Sequence, residues 1–165
     1  MKFYISNFYQ IRNMTPNMLP VSTAMWDPKW FHLGDGHSKY IDKNGVINGV
    51  KFPELVLDKY RWDDLVKQHL SCTDLCKDSC YMEFSIEYCP FMKEYYKNIT
   101  TKMESFEKFL QHCESYVQYM RQSTGISIDT IVLIVYESVE KPCGERWVLK
   151  DWFSENGYEL KEFKK

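Results

Sequence analysis

At Ile131-Val132-Leu133-Ile134-Val135-Tyr136 the chain carries six consecutive apolar or aromatic residues, four of which are β-branched. A run of this kind without polar alternation predicts a strand that is covered on both faces, as in a sheet with helices on either side. The pattern therefore places this strand at the centre of an α/β fold.

Further strand and helix patterns alternate along the chain. Lys2–Ser6 and Leu19–Ala24 have the composition of short strands. The apolar residues from Thr101 to Arg121 follow the spacing of an amphipathic helix, with Thr100 or Thr101 as its cap. A last helix is predicted over about Glu145–Glu155. We expect a compact, Rossmann-like, three-layer α/β domain with a mostly parallel sheet.

Length and composition limit the class of protein. A chain of 165 residues has the size of one domain, so residues 1–165 are predicted to form a single domain. The first residues lack the apolar stretch of a secretory signal, and no run approaches the roughly 18 apolar residues of a membrane span, so a cytoplasmic protein without a membrane partner is expected. The formal charge of −2 excludes a generally basic nucleic-acid binder.

The loop after the central strand, residues Glu137–Arg146, is the first candidate site. Ligands of open α/β sheets bind outside the carboxyl ends of the strands. Cys143 would lie at the N-terminus of the last helix, where the helix dipole favours an anion or a thiolate, and Glu145 is the candidate acid or base. Arg146 offers a planar fork of donors for a phosphate. The alternatives are a buried apolar Cys143, a helix-stabilising Glu145 and a salt-bridged Arg146.

The end of the second strand supplies further candidates for ligand binding. If this strand runs parallel to the central one, its end faces the same cleft. Its candidate groups are hydroxyls, indole rings for stacking and one positive charge, on Ser22, Thr23, Trp26, Lys29 and Trp30. The two tryptophans could instead be core residues on one helical turn.

Four cysteines crowd into a predicted Cys-rich insertion, residues 71–99, at Cys72, Cys76, Cys80 and Cys89. This density favours a structural zinc site with four thiolate ligands, provided that the segment is bent, because a straight helix would spread the outer sulfurs too far apart. Two alternatives are cysteines that serve as small apolar residues of a helix, and an iron–sulfur cluster. His69 and His112 are possible substitutes for one thiolate.

Three segments together resemble the domain-of-unknown-function family numbered 488 (DUF488), in its phage and prokaryotic branch. They are Lys2–Phe8, Leu19–Trp30 and Ile134–Glu137 followed by Lys141–Trp147. The resemblance implies a compact Rossmann-like domain with a Cys-His-Arg type motif at the start of the last helix. It carries over to Arg146, Cys143 and, in the second segment, Ser22. This chain departs from the motif: Gly144 and Glu145 stand where the family's His and Arg would follow Cys143. Alternatively, after a shift of one residue, Glu145 replaces the His while Arg146 keeps the Arg.

These observations lead to a functional expectation. The chain is predicted to bind a phosphate-bearing nucleotide or nucleic-acid base, with an aromatic ring stacked on the base, or to be an enzyme that acts on a nucleotide's glycosidic or phosphate linkage. The alternative is a non-catalytic phage-type interaction protein that binds a host protein or sequesters a signalling nucleotide. No Walker A motif, dinucleotide fingerprint, HExxH or Gly-x-Ser-x-Gly elbow is present, which argues against several common enzyme classes.

Overall fold

A computed structural model of the protein describes residues 1–31, 41–59, 63, 64, 67, 90–137 and 144–165. Their strands form one sheet in the order β3-β2-β4-β1-β5, in which every pair of neighbours is parallel. The strands are β1 (Lys2–Asn7), β2 (Met18–Ser22), β3 (Val50–Lys51), β4 (Thr130–Val135) and β5 (Lys161–Glu162). The prediction of an α/β fold built on a parallel sheet is confirmed.

Both faces of the central strand are covered, as its composition predicts. All six residues of β4 are buried, and β4 lies between β1 and β2. Side chains of successive strand residues point to opposite faces of the sheet, so Leu133 joins the cluster that contains Ile5 and Val21, whereas Ile134 joins the cluster that contains Phe8. Both faces of β4 therefore belong to the hydrophobic core.

Three α-helices of the described residues pack on the Leu133 face: α1 (Pro90–Met103), α2 (Phe106–Thr124) and α3 (Glu145–Glu155). The opposite face contacts a 3-10 helix over Phe8–Asn13 and residues of the loops that follow β2. None of the helices in the described part of the chain is long and apolar enough to cross a membrane.

The helix predicted from Thr101 to Arg121 is wrong in its start. Residues 101–103 end α1, and a break at Glu104 and Ser105 precedes α2. Glu104 has a positive φ of 67°, and the side chain of Ser105 accepts a hydrogen bond from the backbone N–H of Lys108 at 3.2 Å. The cap is thus Ser105, because its extended backbone directs the hydroxyl at an unpaired amide of the first turn. The last helix has the predicted limits.

The structure describes only the last part of the predicted Cys-rich insertion. Residues 71–89, which include all four cysteines, lie outside the described residues. Residues 90–99 belong to α1, whose Tyr95 and Ile99 are fully buried in the core.

The strand order creates a crevice at one place on the carboxyl edge of the sheet. After β2 the chain continues to β3 on one side, whereas after β4 it continues to β5 on the other side, beyond β1. Adjacent strands whose connections leave in opposite directions open a crevice between their carboxyl ends, which is where ligands of open α/β sheets bind. In this protein that place lies between the ends of β2 and β4.

Candidate functional site

The crevice between β2 and β4 brings together residues from three segments. Thr23 follows β2 directly, and its backbone N–H donates to the carbonyl of Ile134 at 3.0 Å, so it continues the pairing with β4. The hydroxyl of Thr23 lies 3.2 Å from the same carbonyl and 3.4 Å from Oε2 of Glu145, the first residue of α3. Strand pairing thus places a predicted hydroxyl and a predicted acid in contact.

The side chain of Glu137, which follows β4 by two residues, lies at the N-terminus of α3. Its Oε1 accepts a hydrogen bond from the backbone N–H of Glu145 at 2.7 Å. Gly144 makes room for this contact, because a Cβ at that position would lie 2.0 Å from Glu137 Oε1. The helix N-terminus at which the sequence predicted a bound anion therefore holds a carboxylate of the protein itself.

Burial and a neighbouring carboxylate control the protonation of Glu145. The residue is buried, and this desolvation is the main cause that raises its pKa well above the usual value. The negative charge of Glu137 raises the pKa further, as does that of Asp27, while the Thr23 hydroxyl and Lys51 oppose the shift. Glu145 thus retains its proton to a higher pH than an exposed glutamate.

Tyr95 of α1 completes a group that we call the buried polar cluster: Thr23, Tyr95, Glu137 and Glu145. The Tyr95 hydroxyl donates to the carbonyl of Leu55 at 2.7 Å, and its ring is fully buried. Its pKa is raised by burial and then by the charges of Glu145 and Glu137. Tyr95 therefore remains a neutral phenol beside the two carboxyl groups.

Ser22 holds the loop after β2 in place. Its hydroxyl donates to Oδ1 of Asp27 and accepts from the backbone N–H of Ala24 at 3.2 Å. Oδ2 of Asp27 forms an ion pair with Nζ of Lys51 at 3.1 Å, and Lys51 also donates to the carbonyl of Met25 at 3.2 Å. Both contacts of the Ser22 hydroxyl are thus made within the protein, and its predicted contact with a ligand stays a prediction.

Arg146 contacts β5 and the backbone that follows β4. Only 1% of its side chain is exposed; Nη1 donates to Oε2 of Glu162 in β5, and Nη2 donates to the backbone carbonyl of Glu137 at 2.8 Å. Lys150 contacts the second oxygen of Glu162 at 2.7 Å. These contacts favour the salt-bridged alternative for Arg146, while phosphate binding by this residue stays a prediction.

Aromatic rings lie at the carboxyl edge of the sheet, on the face that contains Phe8. Trp26 and Trp30 are 54% and 57% exposed, so the alternative that both are core residues is wrong. The ring of Trp30 lies 6.2 Å from that of Phe8, directly after β1, and the ring of Tyr136, directly after β4, lies 5.8 Å from Phe8. Tyr136 is 67% exposed. We call Trp30, Phe8 and Tyr136 the aromatic rim; Lys29 is exposed beside it.

Cys143 and the four predicted zinc ligands lie outside the described residues. Within the ranges that the structure describes, no group of three or more His, Cys, Asp or Glu residues is arranged to hold a metal ion. His112 is 3.8 Å from the carboxylate of Glu54. The zinc site stays a prediction.

Sequence reasoning assigned no role to several residues of this site. The predicted loop included Glu137, whose carboxylate carried a usable signal, because a carboxylate that closely follows a buried strand lies at the carboxyl edge of the sheet. Asp27 and Lys51 carried a weaker one, as charges near strand ends. Tyr95 carried no signal of a site, because it lies on the apolar stripe of a helix.

The resemblance to the family numbered 488 rests on the sequence segments alone and stays a prediction. Comparison of the chain with protein-family models, with curated proteins and with solved structures finds no match.

Proposed function

We propose that the protein binds a nucleoside or nucleotide at the crevice between β2 and β4 and acts on its glycosidic linkage. One observation carries the proposal: Glu145, a buried carboxyl group, lies at this crevice in contact with the Thr23 hydroxyl and beside the carboxylate of Glu137. Buried acids beside a second carboxylate are typical of catalytic sites, because such surroundings shift a pKa towards the working pH.

The aromatic rim supports a ligand with a planar ring. Bases stack on exposed aromatic side chains in a way that tolerates differences in sequence. Trp30 and Tyr136 present more than half of their surface to solvent at the same edge of the sheet, and Trp26 precedes Trp30 in the same loop. The base would stack there, while the sugar reaches the buried polar cluster.

The charges favour a glycosidic linkage over a phosphate linkage as the reacting bond. Glu137 and Asp27 lie close enough to Glu145 to raise its pKa, so a phosphate placed there would meet like charges. In the proposed reaction Glu145 donates its proton to the base as the bond between base and sugar breaks. A water molecule then adds its oxygen to the sugar carbon and releases a proton.

The direct test is release of free base from ribonucleosides and nucleoside monophosphates, followed by liquid chromatography and mass spectrometry. Glu145→Gln removes the transferable proton at nearly constant shape, and we expect it to lower the rate by about 10²- to 10⁴-fold. Glu114→Gln, an exposed change of the same kind on α2, should leave the rate unchanged. Equal rates in Glu145→Gln and wild type would contradict the role of Glu145, and no release from any compound would contradict the enzymatic proposal.

A second function is supported by the exposed rings themselves. Tyr9, Trp26, Trp30 and Tyr136 all follow carboxyl ends of strands and are all more than half exposed. Aromatic groups of this kind mark surfaces that bind other proteins, as in the predicted phage-type factor that binds a host protein. Capture of one partner from host extract that is lost in Trp30→Ala, together with no binding of nucleosides by wild type, would favour this second function.

The remaining expectations from the sequence are also proposals. They are the DUF488-like origin of the chain, its occurrence in phages, a cytoplasmic location, a structural zinc ion and the sequestering of a signalling nucleotide. Each of these proposals depends on its own measurement.

A further inference from the structure

The two carboxylate oxygens of Glu137 have different surroundings. Oε1 accepts the hydrogen bond from the first amide of α3 at 2.7 Å. Oε2 is buried and has no hydrogen-bond partner in the part of the chain that the structure describes. A buried oxygen that lacks a donor destabilises the folded state, so such atoms in native proteins call for a specific explanation.

The position of Oε2 is determined from several sides. Gly144, with a φ of 135°, brings the backbone so close that a Cβ would lie 2.0 Å from Oε1 and 2.8 Å from Cδ of Glu137. Arg146 donates to the backbone carbonyl of the same residue at 2.8 Å. Because the main chain and Oε1 are both held, the unpaired oxygen is a fixed acceptor.

The proposed reaction places a sugar next to this acceptor. Glu145 must reach the bond between base and sugar, and Glu145 is the residue whose amide Glu137 binds. The base lies towards Tyr136, which precedes Glu137 in the chain and presents its ring to solvent. The group nearest Glu137 is then the sugar, whose hydroxyls are hydrogen-bond donors.

We propose that Oε2 of Glu137 accepts a hydrogen bond from a ribose hydroxyl of the bound nucleoside, and that Glu137 thereby selects nucleosides over free bases. This inference rests on the proposed function, since it needs a nucleoside in the crevice between β2 and β4. It assigns Glu137 a ligand-binding role in addition to its contact with α3.

The test compares wild type with Glu137→Gln by isothermal titration calorimetry. The amide oxygen of glutamine can still accept from the Glu145 amide, whereas its nitrogen, a donor, replaces Oε2. The probes are adenosine, guanosine, cytidine and uridine, their free bases and their 2′,3′-dideoxy forms. We expect Glu137→Gln to weaken ribonucleoside binding by at least about tenfold while free-base binding changes by less than about twofold. Glu114→Gln is the matched control and should bind all probes as wild type does.

The dideoxy probes test the same contact without a variant. They should bind wild type at least about tenfold more weakly than the ribonucleosides, even if Glu137→Gln fails to fold. Equal binding of both forms to wild type, or an equal loss for free bases in a folded Glu137→Gln, would overturn the inference and leave the proposed function standing. If neither nucleosides nor bases bind wild type, the proposed function and this inference both fail.

Discussion

The backbone N–H of Glu145 donates to Oε1 of Glu137 at 2.7 Å, so one acidic residue stabilises the start of the helix that presents another. This contact joins the end of the central strand to the last helix. It also explains why the pKa of Glu145 is raised by a nearby charge in addition to burial. The stability of the fold and the protonation of the candidate site are therefore linked through Glu137.

Gly144→Ala should destabilise the protein by about 2–4 kcal/mol. The substitution places a Cβ 2.0 Å from Glu137 Oε1 and imposes a side chain on a φ of 135°, so the cost includes both backbone strain and a displaced carboxylate. Urea unfolding measures the change. Gly157→Ala is the control, because Gly157 has a φ of 79° with no heavy atom within 4 Å of an added Cβ, and it should cost only about 1–2 kcal/mol. Equal costs at the two positions would contradict the importance of the contact with Glu137.

Glu145→Gln should change how stability depends on pH. The pKa of Glu145 is higher in the folded protein than its ordinary value of 4.5, which applies in the unfolded chain. The stabilising contribution of protonated Glu145 is therefore complete below pH ~4.5 and is lost as pH rises towards the folded-state pKa. Wild type should therefore lose up to about 1.4 kcal/mol per pH unit relative to the variant above pH ~5.

Urea unfolding of wild type, Glu145→Gln and Glu114→Gln between pH 5 and pH 8 measures this difference. The free energy of unfolding of wild type relative to Glu145→Gln should fall as pH rises, while Glu114→Gln, which is exposed on α2, should follow wild type. A difference that is constant over this range would show that Glu145 has an ordinary pKa.

Arg146→Ala should destabilise the protein by about 3–5 kcal/mol, because it leaves Glu162 without the guanidinium and removes the donor to the Glu137 carbonyl. Glu162→Gln in the same chain should recover part of this loss, since it removes a negative charge that only Lys150 would then offset. Melting temperature and urea unfolding of the two single variants and the double variant form the double-mutant cycle. An unchanged melting temperature of Arg146→Ala would instead favour a ligand-binding role for Arg146.

The purified protein should contain about one zinc ion per chain if Cys72, Cys76, Cys80 and Cys89 bind the metal. Cys76→Ser should then release zinc and lower the melting temperature, because metal binding is coupled to folding. Elemental analysis by mass spectrometry measures the metal. Cys113→Ser is the control, since Cys113 is buried in the core on α2 and should keep the zinc content even if it lowers stability. A stable protein without metal would contradict the zinc site.

The sequence alone determined the elements whose pattern is local. The β-branched run predicted a strand with two buried faces, and β4 is fully buried over Thr130–Val135. The end of α3 followed from Asn156-Gly157, because a glycine after a helix adopts a left-handed conformation without steric cost. The break at Ser105 escaped the same reasoning, because the apolar stripe of α1 continues almost in phase into α2 and hides the cap between them.

The partners of the charged residues were decided by the tertiary structure. Arg146 binds Glu162 because β5 pairs with β1 beside the start of α3, and Glu137 meets Glu145 because Gly144 lets the backbone approach its carboxylate. Tyr95 reaches the two carboxyl groups from α1, which precedes both of them in the chain by several tens of residues. Apolar periodicity indicates which face of an element is buried. The pairing of charges depends instead on the order of the strands in the sheet, and residues far apart in sequence carry no local sign of that order.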